Sequence, residues 1–126
     1  MSKQHSPRFR TICEKACKQV NEINVDELKK WLDTHPDNFV LIDVREQNEW
    51  DQGHLPQAIH LSKGVIERDI EAIIPKENTK IALYCGGGFR SALAALNLKQ
   101  MGYHNVFSVM GGYRGWCEKA FPTKKD

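Results

Sequence analysis

Two continuous apolar runs constrain this chain more than any other feature: "FVLIDV" at residues 39–44 and "KIALYC" at residues 80–85. Neither alternates apolar with polar side chains, so neither suits a strand with one face in water. Both suit strands covered on two faces in a parallel sheet. Parallel strands need long return connections, and helical spacings supply them. Ile66, Ile70, Ile73 and Ile74 mark a helix stopped by Pro75, and Ser91 to Met101 a helix closed by Gly102. "NVFSVM" at residues 105–110 reads as one more strand, and Tyr113 to Phe121, before Pro122, as a short terminal helix. This alternation predicts an α/β domain, and 126 residues suffice for one such domain around a single core.

Upstream, Phe9, Ile12, Cys13, Ala16, Cys17 and Val20 recur at spacings of three and four behind Ser6 and Pro7, which predicts an amphipathic helix with a capped start. Its apolar stripe has two destinations, the domain itself or a second subunit. Asn24 and Glu27 form a capping pair for a second helix that turns Val25, Leu28 and Leu32 inward and ends at Pro36. The polar stretch after Val44 is expected to be loop. The organisation is therefore an N-terminal helical extension over residues 1–19, the domain over residues 20–122, and a charged, solvated tail over residues 123–126 that carries Lys124 and Lys125.

With 40% hydrophobic and 27% charged residues and a formal charge of +2, the chain is ordinary globular protein, too weakly basic to imply nucleic acid. No apolar run approaches the roughly 18 residues that span a bilayer, and the basic opening is not followed by a signal-peptide core. A cytoplasmic protein without membrane partners is expected. Its four cysteines, Cys13, Cys17, Cys85 and Cys117, fit reduced thiols better than a disulfide framework, and no Cys-x-x-Cys pair suggests zinc. Cys13 and Cys17 sit on the apolar stripe as small hydrophobes.

Cys85 is different. In open α/β sheets reactive groups collect at the carboxyl ends of strands, and Cys85 ends a buried run whose following helix is expected from Ser91. Gly86, Gly87 and Gly88 reach positive φ without a Cβ penalty, so successive N–H groups can turn inward as an anion-binding nest. The helix terminus and Arg90 add positive potential. Such surroundings favour a thiolate, the nucleophilic form of cysteine. Apolar burial of a strand-end cysteine would explain neither the glycines nor the arginine.

Three ordered stretches, "LIDVREQNEWDQGHLPQAIHL", "YCGGGFRSALAALNLKQMGY" and "VMGGYRGW", resemble the rhodanese-like sulfurtransferases over about residues 20–122. The resemblance implies a mainly parallel central sheet with helices on both faces. It also implies a single-domain enzyme in which a cysteine takes up sulfane sulfur as a persulfide and passes it to a thiol or cyanide. On that pattern Cys85 is the cysteine and Gly86, Gly87, Gly88, Phe89 and Ser91 form the substrate cradle. Arg90 is its catalytic cation, while Ser91 serves equally well as a helix cap. Asp43 and Arg45 would brace the loop from behind or form a plain structural ion pair. Trp50, Tyr113 and Trp116 are expected to pack, and His54 to organise the Gly-His-Leu-Pro turn. Gln57, His60 and Tyr113 stand where the family usually has glycine, asparagine and tryptophan.

No metal or cofactor is implied, and the chain has no dinucleotide fingerprint or P-loop lysine. The partners implied are a small-molecule or protein persulfide donor and a thiol acceptor, for a monomer or homodimer. With Arg90 as the loop's only cation, the mouth is expected to bind dianionic thiosulfate weakly and to favour a thiol-bound persulfide. Two rivals remain. A phosphatase or arsenate reductase of related fold also uses a cysteine, a loop and an arginine, but holds its tetrahedral oxyanion in a longer loop than the four residues between Cys85 and Arg90. A non-catalytic carrier or binding module is the other.

Overall fold

The continuous apolar runs become the middle of a five-stranded sheet in a computed structural model that describes residues 5–126. In chain order the elements are α1 (Pro7–Gln19), β1 (Asn21–Ile23), α2 (Val25–Thr34), β2 (Val40–Asp43), α3 (Gln47–Asp51), β3 (Ile59–His60), α4 (Ile66–Ile73), β4 (Ile81–Tyr84), α5 (Phe89–Gln100), β5 (Val106–Val109) and α6 (Gly112–Glu118). All strand pairs are parallel, in the order β1-β5-β4-β2-β3. β4 is central, with Leu83 opposite Ile42 of β2 and Ser108 of β5. Helices cover both faces, as the unbroken apolar character of β2 and β4 requires. Ile42, Leu83, Ile66, Ile70 and Leu98 share one core with α4 and α5, while Leu41, Ala82, Tyr84, Leu28 and Trp116 share the other with α2 and α6.

Most local signals act as expected. Asn24 and Glu27 form a reciprocal capping box, Glu27 N–H to Asn24 Oδ1 at 2.8 Å and Asn24 N–H to Glu27 Oε1 at 3.2 Å. Ser6 occupies the N-cap of α1 without a side-chain cap, so the start of that helix rests on Pro7 at its first position. α1 packs on α5 with Cys13 and Ala16 fully buried, and Lys99 Nζ donates to the carbonyl of Gln19 at its C-terminus.

Several expectations need correction. Ile12 and Ile73 are half exposed, at 54% and 50%, each lying at the edge of its helix's apolar stripe. The polar stretch after Val44 contains α3 and the two-residue β3, and β1 precedes the capping box. α5 begins at Phe89, two residues before the expected Ser91. The exposed tail is also tied down: Lys124 pairs antiparallel with His54 through two backbone bonds of 2.8 Å. Among the described residues no helix is long and apolar enough to cross a membrane.

Candidate active site

β4 delivers Cys85 to the carboxyl edge of the sheet's middle strand, where the chain must turn at once into α5. The residue is 1% exposed, and its Sγ accepts the N–H of Gly88 at 3.1 Å and of Ser91 at 3.4 Å. Ser91 N–H is one of the first-turn donors that a helix leaves unpaired, so the sulfur caps α5 and sits at the positive end of its dipole. Ser91 Oγ lies 3.5 Å from the sulfur and 2.8 Å from Ser108 Oγ, a pair of buried hydroxyls within reach of the site. Of the three glycines only Gly88 takes a positive φ, +114°. The expected nest of successive left-handed residues is thus replaced by one left-handed turn and a helix N-terminus, because α5 starts early.

The loop's carbonyls are tied down from the opposite side. Tyr113 N–H donates to Cys85 O at 2.8 Å, Arg114 N–H to Gly86 O at 3.0 Å, and Gly111 N–H to Gly87 O at 3.2 Å. With these carbonyls held outward by the first turn of α6, the N–H groups of Gly88 and Ser91 face the sulfur. Gly112 makes the approach possible. At φ +52°, a Cβ there would overlap the Cys85 carbonyl oxygen and lie 3.0 Å from the Gly86 carbonyl carbon. The stretch "VMGGYRGW" is therefore the loop's anchor, a role its sequence alone does not reveal.

Arg90 does not stand free as the loop cation. Its guanidinium grips Glu49 of α3 in a bidentate, half-buried pair, Nη1 to Oε1 at 2.8 Å and Nη2 to Oε2 at 3.1 Å. The hydrogen bonds from Arg90 hold the Glu49 carboxyl below its ordinary value, against the opposing effect of burial. Nor is Arg90 the only cation near the loop. Arg114 lies beside Gly87, so close that a Cβ added to that glycine would come within 3.2 Å of Arg114 Nη1. His5, Phe9 and Arg10 of the N-terminal segment line the same cleft as Cys85 and Arg114. Phe89 packs at ring-centroid distances of 5.2 Å from His5 and 6.1 Å from Phe9. The extension thus forms a wall of the cleft. Sequence reasoning misses Glu49 and Arg114 as site residues, although each lies within one of the three family-like stretches.

Asp43 and Arg45 form a buried pair, Arg45 Nη2 to Asp43 Oδ2 at 2.8 Å, and Arg45 Nη2 also donates to Gly53 O at 2.6 Å. Burial works against the Arg45 charge, but the hydrogen bonds and charge of Asp43 outweigh it and raise the guanidinium above its ordinary value. The Arg45 guanidinium lies 4.1 Å from the ring centre of Tyr113, whose N–H holds the Cys85 carbonyl. His54 stacks on Trp50 at 3.6 Å and its Nδ1–H donates to Leu55 O, while His60 Nε2–H donates to Arg45 O. These groups bolt the turn to α6 and make no hydrogen bond to the sulfur. Trp116 is fully buried, and Tyr113 and Trp50 partly so. Burial first, and then the charge of Cys85, push the Cys13 thiol up; Cys17 is pushed up to about 11 by burial and Glu22. No cluster of metal-binding side chains occurs among the described residues.

The family model for the rhodanese-like domain matches residues 24–119. The chain belongs to the rhodanese-like domain family. A thiosulfate sulfurtransferase, GlpE, of Coxiella burnetii is 29% identical to it over 99 residues, covering 79% of this chain and 86% of that protein. A Bacillus subtilis protein named for a sulfur-carrier role is 31% identical over 100 residues, 79% of this chain, and the chain spans 52% of that relative's length. Among solved structures, a Rhodopseudomonas palustris protein of unknown function, described as a possible tyrosine phosphatase, superposes with a TM-score of 0.86 at 23% identity, covering 98% of this chain and 99% of that one. At that identity the likeness is one of fold, and the match extends over α1.

Proposed function

We propose that this rhodanese-like protein is a sulfurtransferase that carries sulfane sulfur as a persulfide on Cys85. The observation that carries the reading is the pair of N–H groups, from Gly88 and Ser91, aimed at a sulfur at the base of a cleft. Such a site stabilises negative charge on Sγ before transfer, and on the outer sulfur of the persulfide after it. In the first half-reaction the thiolate attacks the sulfane sulfur of thiosulfate or of an organic persulfide. The new S–S bond forms as the old one breaks, and sulfite or a thiolate leaves with the electron pair. In the second, an incoming thiolate attacks the outer sulfur of Cys85–S–SH, leaving as its own persulfide and restoring the Cys85 thiolate. Cyanide takes the same sulfur to give thiocyanate. The cycle is written with thiol chemistry alone. In this reading Ser91 and the glycine turn hold the charged sulfur, Arg90 keeps Glu49 and the loop in register, and Asp43 with Arg45 positions the anchor helix.

Intact mass and peptide mapping after exposure to thiosulfate or a persulfide test the proposal. One added sulfur should appear on Cys85, be discharged by cyanide, and be lost in Cys85→Ser. Sulfur found instead on Cys13, Cys17 or Cys117, or transfer that survives Cys85→Ser, refutes it. Turnover of an aryl phosphate by the same preparation, without sulfur loading, would replace it with the phosphatase reading.

A further inference from the structure

We infer that Arg114 is the docking residue for an anionic group of the sulfur donor, a sulfonate or carboxylate next to the sulfane sulfur. The inference rests on the sulfur-transfer reading of Cys85 and names the class of donor that reading leaves open.

The cleft over Cys85 is lined by three arginines, Arg10, Arg90 and Arg114, and by two carboxylates, Glu14 and Glu49. Arg90 is committed to Glu49 through both nitrogens of its fork. Arg10 and Arg114 form no ion pair among the described residues, and each has a glutamate one helical turn on, Glu14 and Glu118. Arg114 differs from Arg10 in place: it is exposed, and its is the uncommitted guanidinium that borders the cysteine loop, at Gly87. Its position is fixed from below, since its own N–H holds the Gly86 carbonyl at 3.0 Å, and its guanidinium borders Gly87 at the mouth. Counting Arg90 as the loop's only cation therefore leaves out a guanidinium that folding brings to the mouth.

The direction of the chemistry places an anion there. Thiolate attack on a sulfane sulfur aligns the attacking sulfur, the sulfane sulfur and the leaving atom. With Sγ at the base of the cleft, the leaving group must point outward. For thiosulfate that group departs as sulfite, gaining negative charge as the S–S bond breaks. For an amino-acid or peptide persulfide it is a thiolate whose molecule carries a carboxylate. The rings of Phe89 and Phe9 offer such a group no counter-charge, whereas Arg114 offers a planar fork that matches an oxyanion.

The test separates docking from transfer. Thiosulfate binding to Cys85→Ser, which cannot accept sulfur, is measured by calorimetry with and without Arg114→Ala. Turnover by the otherwise wild-type protein and by Arg114→Ala and Arg114→Lys is compared for thiosulfate, cysteine persulfide and an uncharged alkyl persulfide at two ionic strengths. Arg114→Ala should weaken thiosulfate binding and raise KM for both anionic donors roughly ten- to a hundred-fold, the range for one charged hydrogen bond. It should leave kcat and the uncharged donor within about two-fold, and the gap should shrink with salt. Arg114→Lys should recover part of the loss. A larger effect on thiosulfate than on cysteine persulfide identifies the sulfonate as the docked group, and the reverse identifies the carboxylate. Unchanged thiosulfate binding, or equal losses for charged and uncharged donors, overturns the inference. Wild-type protein that binds thiosulfate through Arg114 yet loads no sulfur from any donor supports the docking and refutes the sulfur-transfer reading instead.

Discussion

Replacing Gly112 with alanine probes the way α6 holds the Cys85 loop. The residue has φ +52°, and a Cβ there would strike the Cys85 carbonyl oxygen and sit 3.0 Å from the Gly86 carbonyl carbon. Both neighbours are backbone atoms of the loop and have no flexible end to yield. Left-handed backbone costs a non-glycine residue about 1–2 kcal/mol. Displacing the loop also strains the bonds from Tyr113 N–H and Arg114 N–H to those two carbonyls, each contributing about 0.5–1.5 kcal/mol. Stiffening the unfolded chain returns about 0.4–1 kcal/mol. The net expectation is a loss of about 2–3 kcal/mol, or roughly 8–12 °C in Tm for a domain of this size. Urea unfolding followed by tryptophan fluorescence measures it, with sulfur loading of Cys85 as the functional readout. Gly115→Ala is the control on the same helix: its Cβ would make an ordinary 3.5 Å contact with Val25 Cγ1, so higher helix propensity should make it neutral or stabilising by up to about 1 kcal/mol. A Gly112→Ala protein within about 0.5 kcal/mol of wild type, with wild-type loading, would refute the anchoring argument.

Three further expectations follow from single observations. Glu49 titrates below its ordinary 4.5, so the Arg90 pair stabilises the fold fully above that pH and is lost as pH falls through the lowered value. Tm of Glu49→Gln should therefore sit below wild type by the equivalent of about 0.5–1 kcal/mol at pH 7 and converge with it as pH falls below the lowered value; parallel curves would assign the acid sensitivity elsewhere. Gln57 holds φ +68° in the turn after His54, so Gln57→Gly should stabilise by about 0.5–1 kcal/mol, the left-handed strain relieved less the entropy of glycine. A loss of stability on chemical unfolding would show that its side chain contributes more than its backbone costs. Cys17, pushed up to about 11, should lag the exposed Cys117 in alkylation at pH 8 and catch up only in strong alkali, as mapped by peptide mass; equal rates at pH 8 would contradict the assigned burial.

The fold is legible in the sequence where burial decides it. "FVLIDV" and "KIALYC" are apolar on both faces because helices cover both faces, and that requirement is written into β4 and into β2 up to Asp43, whose charge is paired with Arg45. β1 and β3 leave no such trace. They are edge strands of three and two residues, and "NEI" and "IH" are too short to show a period. The sequence points to Ser91 as the start of α5 because glycine, phenylalanine and arginine carry no capping signal. What starts the helix at Phe89 is Gly88 in the left-handed region together with the Cys85 sulfur standing in for a capping oxygen.

The site divides along the same line between local and distant causes. Cys85, its glycines and Ser91 are neighbours in sequence, so their convergence on one sulfur follows from a strand end and a helix start. The electrostatics do not follow, because charge pairs form across the fold. Arg90 is adjacent to the loop in sequence but gives its guanidinium to Glu49, 41 positions away, on a short helix with little apolar pattern of its own. Arg114 lies 29 positions after Cys85 and borders the same loop, because parallel β4 and β5 bring the start of α6 beside the start of α5. A count of cations within the loop therefore misjudges the potential at its mouth. The quantity that matters is the charge presented at the mouth after folding, and part of it comes from residues that the cysteine motif does not contain.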